Sequence, residues 1–95
     1  MPLELGRSAS LSYHLVQIRD RELPHVHANH DLVVMLLRGQ GELHQGERTL
    51  PMRVGDAAVV PKGVPHFFVN TGIEPAAAFV TFAPPFDGKD NVPVD

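Results

Sequence analysis

Short apolar runs separated by glycine and proline are the dominant pattern along this chain. Its 8 glycines and 9 prolines fall between these runs rather than inside them. No window shows a sustained apolar period of 3.6 residues, so the pattern predicts strands and turns instead of helices. The predicted strands are 13–18, 25–27, 32–37, 41–44, 48–50, 57–60, 66–70 and 76–82.

The spacing of these strands indicates the fold class. They are short and recur at about eight to twelve residues, which is typical of an all-β sandwich or small barrel. The segment 76–82 contains three alanines, but prolines on both sides and a Phe-Val-Thr-Phe sequence favour a strand over a helix. Turns are expected at 45–47, 54–56 and 61–63, with Gly46 free to adopt a positive φ.

Composition narrows the possible partners. A chain of 95 residues is long enough for one domain, 1–95, and one modest core. The formal charge is −3 and the basic residues are scattered, so we expect neither nucleic acid nor a membrane as a partner. The longest apolar run, 32–37, is too short to span a bilayer, and the first residues do not resemble a signal peptide. We therefore expect a cytoplasmic protein.

Histidines supply the candidate chemistry. His25 and His27 are two apart on a predicted strand, so their side chains share a face roughly 6–7 Å apart along the chain. Burying an unpaired polar group costs roughly 1–3 kcal/mol, and a metal would satisfy one nitrogen of each ring. With no cysteine in the chain, only imidazole, carboxylate or water can serve as ligands. A third imidazole is expected from His66, whereas His14 and His44 are interpreted as structural.

The segment around His66 has a specific spacing. It reads glycine, five residues, Pro-x-Gly, two residues, His, three residues, Asn, and it resembles the second motif of the cupin superfamily at every defined position. The matching residues are Gly55, Pro61, Gly63, His66 and Asn70.

The first cupin motif matches less completely. It is usually written as glycine, five residues, His-x-His, three or four residues, Glu, six residues, glycine, and His25, His27 and Gly39 fit it. Two positions depart from it. Arg19 replaces the first glycine, and Leu32 occupies the place of the usual carboxylate ligand.

The missing carboxylate leaves the fourth metal ligand open. His30 shares a face with Leu32 by strand alternation, so it is one candidate. Asp31 carries the right charge, but it faces the other way unless a bulge turns it. The third possibility is water or no further ligand. The resemblance implies one divalent transition metal, with Fe, Zn, Ni, Cu and Mn all compatible with such ligands.

The same alternation predicts the wall of a ligand pocket. Phe68 shares the face of His66, and one face of the strand 32–37 is apolar. The predicted lining residues are Leu32, Val34, Leu36 and Phe68, with Phe79 or Phe82 as further candidates. The register of Tyr13, Gln17 and Arg19 is ambiguous, and Asn70 is expected to bind backbone.

The resemblance implies a single small cupin, a jelly-roll (double-stranded β-helix) barrel over about 11–83 with an extended tail at 84–95. One hypothesis is a metal-dependent enzyme, dioxygenase-like or isomerase-like, acting on a small oxygen-chelating molecule. Similarity to small quercetin-dioxygenase-like cupins favours this hypothesis. The alternative is a non-catalytic module that binds or senses a small ligand, which the missing Glu and the lack of an obvious general base favour. A fold does not choose between them. A homodimer is expected in either case.

Overall fold

Ten strands in two antiparallel sheets make up the part of the chain described by the computed structural model, residues 3–89 and 91–94. Among these residues, no helix has the length and apolar character needed to cross a lipid bilayer. The strands are β1 Leu3–Arg7, β2 Ser12–Ile18, β3 His25–His27, β4 Asp31–Arg38, β5 Gln40–Gln45, β6 Arg48–Arg53, β7 Ala57–Val60, β8 His66–Asn70, β9 Ala76–Ala83 and β10 Asn91–Pro93.

The chain passes back and forth between the two sheets. The first sheet has the order β1-β2-β9-β4-β7 and the second has the order β10-β3-β8-β5-β6. From β2 onwards the chain changes sheet at every connection except the β5–β6 hairpin. This arrangement confirms the predicted all-β jelly roll.

Alternation along each strand places the core between the sheets. In β9 the residues Ala76, Ala78, Val80 and Phe82 are buried, and the residues between them are only partly buried. Adjacent strands repeat this period of two, so their inward faces form one apolar cluster. Its other buried members are Ile18, Leu32, Leu36, Leu43, Met52, Val60 and Phe68.

The outer face of the first sheet is also apolar. Val33 on β4 and Val59 on β7 are directly paired, and their exposed fractions are 46% and 58%. Leu37, at the irregularity near the end of β4, is 44% exposed. Tyr13 and Phe79 pack together on this face with ring centroids 5.7 Å apart, so neither points towards the core.

The predicted turns are confirmed by backbone geometry. Gly46, Gly55 and Gly63 have φ values of 58°, 93° and 78°, a region that favours glycine. The Gly63 turn precedes β8, and its amide donates to the carbonyl oxygen of His27 at 2.9 Å. The turn therefore ties the start of β8 to the end of β3.

Asn70 has the structural role that was predicted. Its Nδ2 group donates to the backbone carbonyl oxygens of Arg19 at 2.9 Å and Glu74 at 2.7 Å, with Ile18 at 3.2 Å. Its Oδ1 accepts from the Gly72 amide at 2.8 Å. The side chain thus joins the end of β8 to the end of β2.

Two strands were not predicted. β1 pairs with β2 at the edge of the first sheet, and β10 pairs with β3 at the edge of the second. The tail 84–95 is therefore partly a strand, in which Val92 lies opposite Val26. This pairing covers one side of β3, which would otherwise be a three-residue edge strand.

Candidate metal centre

Three buried histidines converge at one end of the second sheet. His25 on β3 lies directly opposite His66 on β8, and His27 follows two residues later on the same face. The ring centroids are 4.3 Å apart for His25 and His66, 5.0 Å for His25 and His27, and 5.2 Å for His27 and His66. One potential ligand atom from each ring lies within 4.8 Å of the others.

Backbone carbonyl groups orient two of these rings. The Nδ1–H of His25 donates to the Leu23 carbonyl oxygen at 2.8 Å, and that of His66 donates to the Val64 carbonyl oxygen at 3.1 Å. A carbonyl oxygen can only accept, so Nδ1 carries a proton in each ring, and when the ring is neutral its lone pair lies on Nε2. Metal-binding histidines are commonly oriented this way, and the observed geometry therefore fits a metal.

Burial keeps His66 neutral. Burial is the largest cause that lowers its pKa; the hydrogen bond to Val64 opposes the shift and the charges of His25 and His27 add to it, so that the pKa of His66 is lowered to about 4. An imidazole must be unprotonated to bind a metal. His66 is therefore in the binding form at neutral pH.

Leu32 faces inward, as predicted, and is only 4% exposed. The two possible replacements for the missing carboxylate lie elsewhere. Nε2 of His30 donates to the Pro85 carbonyl oxygen at 3.0 Å, and the ring packs near Phe82. Asp31 is exposed, and its Oδ1 accepts from the Lys62 amide at 2.9 Å. Within the described residues, the cluster of potential ligands contains His25, His27 and His66 without either of them.

A cavity of about 400 Å³ opens in front of the three histidines. This volume is in the range of small-molecule sites. The four predicted wall residues, Leu32, Val34, Leu36 and Phe68, all line it. Among the residues whose position was ambiguous, Gln17, Arg19 and Phe82 also line it, whereas Tyr13 and Phe79 lie on the outer face.

Glu22 is a site residue that the sequence analysis missed. It lines the cavity next to His25, so the site does hold a carboxyl group, contrary to the inference that no acid–base residue was near. The Phe68 amide donates to Oε1 of Glu22 at 2.9 Å. Burial raises the pKa of Glu22, and the charge of His25 and the bond from Phe68 oppose that rise. The only sequence signal was its position three residues before His25.

The free energy of unfolding of the metal-free protein should decrease as the pH is lowered, because of His66. Its pKa is about 4 when folded and close to 6.5 when unfolded, so between these values the unfolded chain binds the extra proton. Stability is therefore lost as pH falls from 6.5 towards 4. We expect a loss of about 2 kcal/mol between pH 7.5 and pH 5, measured by urea unfolding in the presence of a chelator.

The matched variant for this measurement is His66→Asn, which lacks the titrating ring. Between pH 7.5 and pH 5, its free energy of unfolding should decrease by about 2 kcal/mol less than that of the wild type. His14, whose pKa is also lowered by burial, contributes equally to both proteins. Identical pH dependence in the two proteins would contradict the assignment to His66.

Comparison with known proteins identifies the family. The profile of the cupin domain matches residues 13–82. An uncharacterised protein of Aquifex aeolicus is 40% identical over 93 residues, which cover 98% of this chain and 76% of that protein. The crystal structure of a Thermus thermophilus protein superposes with a TM-score of 0.80 at 28% identity, covering 90% of this chain and 84% of the other.

A second structural relative carries a functional name. A sugar phosphate isomerase of the cupin superfamily from Silicibacter pomeroyi is 30% identical with a TM-score of 0.74, covering 86% of this chain and 57% of that one. The matched profile spans most of the described barrel and contains all three converging histidines. This chain belongs to the cupin domain family.

Proposed function

We propose that this protein binds one divalent transition metal through His25, His27 and His66 and acts on a small molecule that chelates it through two oxygens. The observation that carries this proposal is the convergence of three buried imidazoles on a cavity of about 400 Å³. The backbone bonds at Nδ1 of His25 and His66 leave Nε2 of each ring available.

The ligand set and the cavity wall favour an enzyme. When bound, a metal held by neutral ligands supplies a strong Lewis acid that polarises the oxygens of a substrate. The apolar side chains of Leu32, Val34 and Phe68 exclude water, and Glu22 places a carboxyl group in the wall. We propose a metal-dependent enzyme of dioxygenase-like or isomerase-like type. The carboxyl group and the name of the Silicibacter pomeroyi relative favour the isomerase-like reaction.

A non-catalytic binding module is the second candidate, and one observation favours it. Leu32 fills the inward position where other cupins carry a ligating carboxylate. A metal held only by three imidazoles has room for a tightly chelating ligand that is bound and not converted.

A cytoplasmic location is also a prediction from the sequence alone.

We propose a homodimer that forms through the outer face of the first sheet. The exposed apolar side chains of Val33 and Val59 are paired across β4 and β7, and Leu37 near the end of β4 is exposed as well. Exposed apolar side chains that lie side by side are typical of protein interfaces. A second copy presents the same patch, so a two-fold contact would cover both.

Metal binding is the first prediction of this proposal. Protein purified without a histidine tag should bind about one Ni²⁺ or Zn²⁺ per chain, and its melting temperature should rise because the metal binds only the folded state. His66→Asn removes one ligand and should weaken metal binding by at least about tenfold. Elemental analysis gives the metal content, isothermal titration gives the stoichiometry and affinity, and thermal unfolding gives the melting temperature.

His44→Asn is the control for this substitution. His44 lies outside the cluster, where its ring stacks on Phe67 with centroids 4.4 Å apart. This variant should bind metal like the wild type. A wild-type protein that gains neither metal nor thermal stability in these titrations would refute the proposed metal site.

Turnover distinguishes the two candidate functions. The metal-loaded wild type should consume oxygen with, or isomerise, at least one member of a panel of diketones, flavonols, catechols and sugar phosphates. His66→Asn should then lose at least about tenfold of that rate, since it lacks a ligand. Oxygen electrode traces and NMR spectra provide the rates. Binding of panel members with equal, background rates in both proteins would favour the binding module.

The dimer proposal predicts a mass near twice the 10.4 kDa of one chain. Val59→Lys places a charge in the apolar patch and should shift the protein towards the monomer. Ile73→Lys, at a fully exposed loop position, is the control and should leave the mass unchanged. Size-exclusion chromatography with light scattering measures the masses of the wild type and the two variants. A wild-type mass of one chain would exclude the homodimer.

A further inference from the structure

The phenyl ring of Phe86 lies beside the three histidines but outside the part of the chain that matches the family. The cupin profile ends at residue 82, and Phe86 belongs to the strap, residues 84–86, which follows β9. We infer that Phe86 is a positioning residue of the metal centre: together with Phe82, its ring holds the imidazole of His27 towards the other two histidines. The inference deepens the proposed function and rests on it, because it concerns the same metal ligands.

Two phenyl rings flank the imidazole of His27. Its ring centroid lies 5.3 Å from that of Phe82, with the ring planes at 88°, and 6.4 Å from that of Phe86, with the planes at 80°. These are edge-to-face contacts, which aromatic rings prefer at such distances. A rotation of the imidazole about its Cβ–Cγ bond would change both angles, so the two phenyl rings together disfavour that rotation.

Phe86 acts on the site from behind these rings. Its ring centroid lies 4.5 Å from that of Phe82, with the planes at 38°. Phe82 lines the cavity, whereas Phe86 is not one of its lining residues. A molecule in the cavity is therefore influenced by Phe86 only through the residues that Phe86 contacts. This arrangement separates a positioning role from a direct role in ligand binding.

Hydrogen bonds from three separate parts of the barrel hold the strap in place. Oγ of Ser12 on β2 accepts from the Phe86 amide at 2.9 Å, and the Arg7 guanidinium on β1 donates to the Phe86 carbonyl oxygen at 3.0 Å. Nε2 of His30, between β3 and β4, donates to the Pro85 carbonyl oxygen at 3.0 Å. Both backbone polar groups of Phe86 are thus bonded to the barrel, which fixes the place of its ring.

The inference also gives a role to two buried polar side chains on β2. Ser12 and His14 are almost fully buried on the inward face of this strand. Oγ of Ser12 lies 2.8 Å from Nε2 of His14. The His14 ring meets the rings of Phe82 and Phe86 edge to face, with centroids 4.9 Å and 5.7 Å apart. The pair therefore contacts both the ring and the backbone amide of Phe86.

Phe86→Leu tests the inference because it keeps a large apolar side chain and removes the flat ring. Its affinity for Ni²⁺ should be about tenfold lower than that of the wild type, at the low end of the range for groups that orient metal ligands. Phe86→Tyr keeps the ring and should bind Ni²⁺ like the wild type. Isothermal titration measures the three affinities.

The visible absorption of bound Co²⁺ provides a readout that a loss of stability alone would not change. The positions and intensities of its bands depend on the number and arrangement of the ligands. The Co²⁺-saturated wild type and Phe86→Tyr should give the same bands. Saturated Phe86→Leu should give shifted and weaker bands, because water replaces a loosely held His27 in part of the molecules.

Phe79→Leu is the matched control. Phe79 is also a half-buried phenylalanine, but its ring packs on Tyr13 at the outer face of the first sheet. This variant should keep the wild-type Ni²⁺ affinity and Co²⁺ bands. Arg7→Ala, at an exposed position, removes the bond to the Phe86 carbonyl oxygen and should shift the Co²⁺ bands in the same direction as Phe86→Leu. The test therefore does not depend on the folding of a single variant.

The outcomes distinguish this inference from the proposed function. Wild-type affinity and bands in Phe86→Leu, or equal losses in Phe86→Leu and Phe79→Leu, would overturn the positioning role and leave the metal site standing. If Phe86→Leu does not fold, unchanged bands in Arg7→Ala would overturn the role as well. A wild-type protein that binds neither Ni²⁺ nor Co²⁺ would overturn the proposed function and this inference together.

Discussion

The pairing of His25 with His66 is the contact on which the site depends. β3 and β8 share this one aligned pair, and it sets two distant segments side by side. A shift of one residue would turn the imidazoles of β3 to the opposite face of the sheet, because side chains alternate. The Gly63 amide bond to the His27 carbonyl and the pairing of β10 with β3 hold this register. The arrangement of the three imidazoles is therefore a consequence of the register between β3 and β8.

Much of the barrel could be predicted because the signals are local. The strands β3, β7 and β8 were predicted with the bounds that the structure shows, since glycine and proline turns lie close to them. The strands β1 and β10 were missed for a physical reason. Leu3 and Leu5 in β1 are exposed and alternate with Glu4 over only three residues, so no buried face extends this alternation into a recognisable strand pattern. Its existence depends on pairing with β2, which the local sequence does not encode.

The three histidines could also be predicted, but the rest of the site could not. Whether His30 or Asp31 points to the histidine cluster depends on partners far away in the chain, the Pro85 carbonyl and the Lys62 amide. Glu22 reaches the cavity because the Phe68 amide, on another strand, binds its carboxylate. Such contacts arise from the closure of the barrel, and neither spacing nor composition reveals them.

The exchange of a carboxylate for Leu32 changes how the site distributes charge. In the proposed function, a metal would be held by neutral ligands only, and the acidic side chains of Asp20 and Glu22 lie in the cavity wall instead. A negative charge in the wall can interact with a bound molecule, whereas a carboxylate on the metal occupies a coordination position. In the proposed function, the absence of a fourth protein ligand leaves a coordination position for a substrate. The cost is that three buried imidazoles face one another, two of them on a β3 of only three residues and the third on β8. In the proposed function, metal binding would therefore stabilise the pairing of β3 with β8.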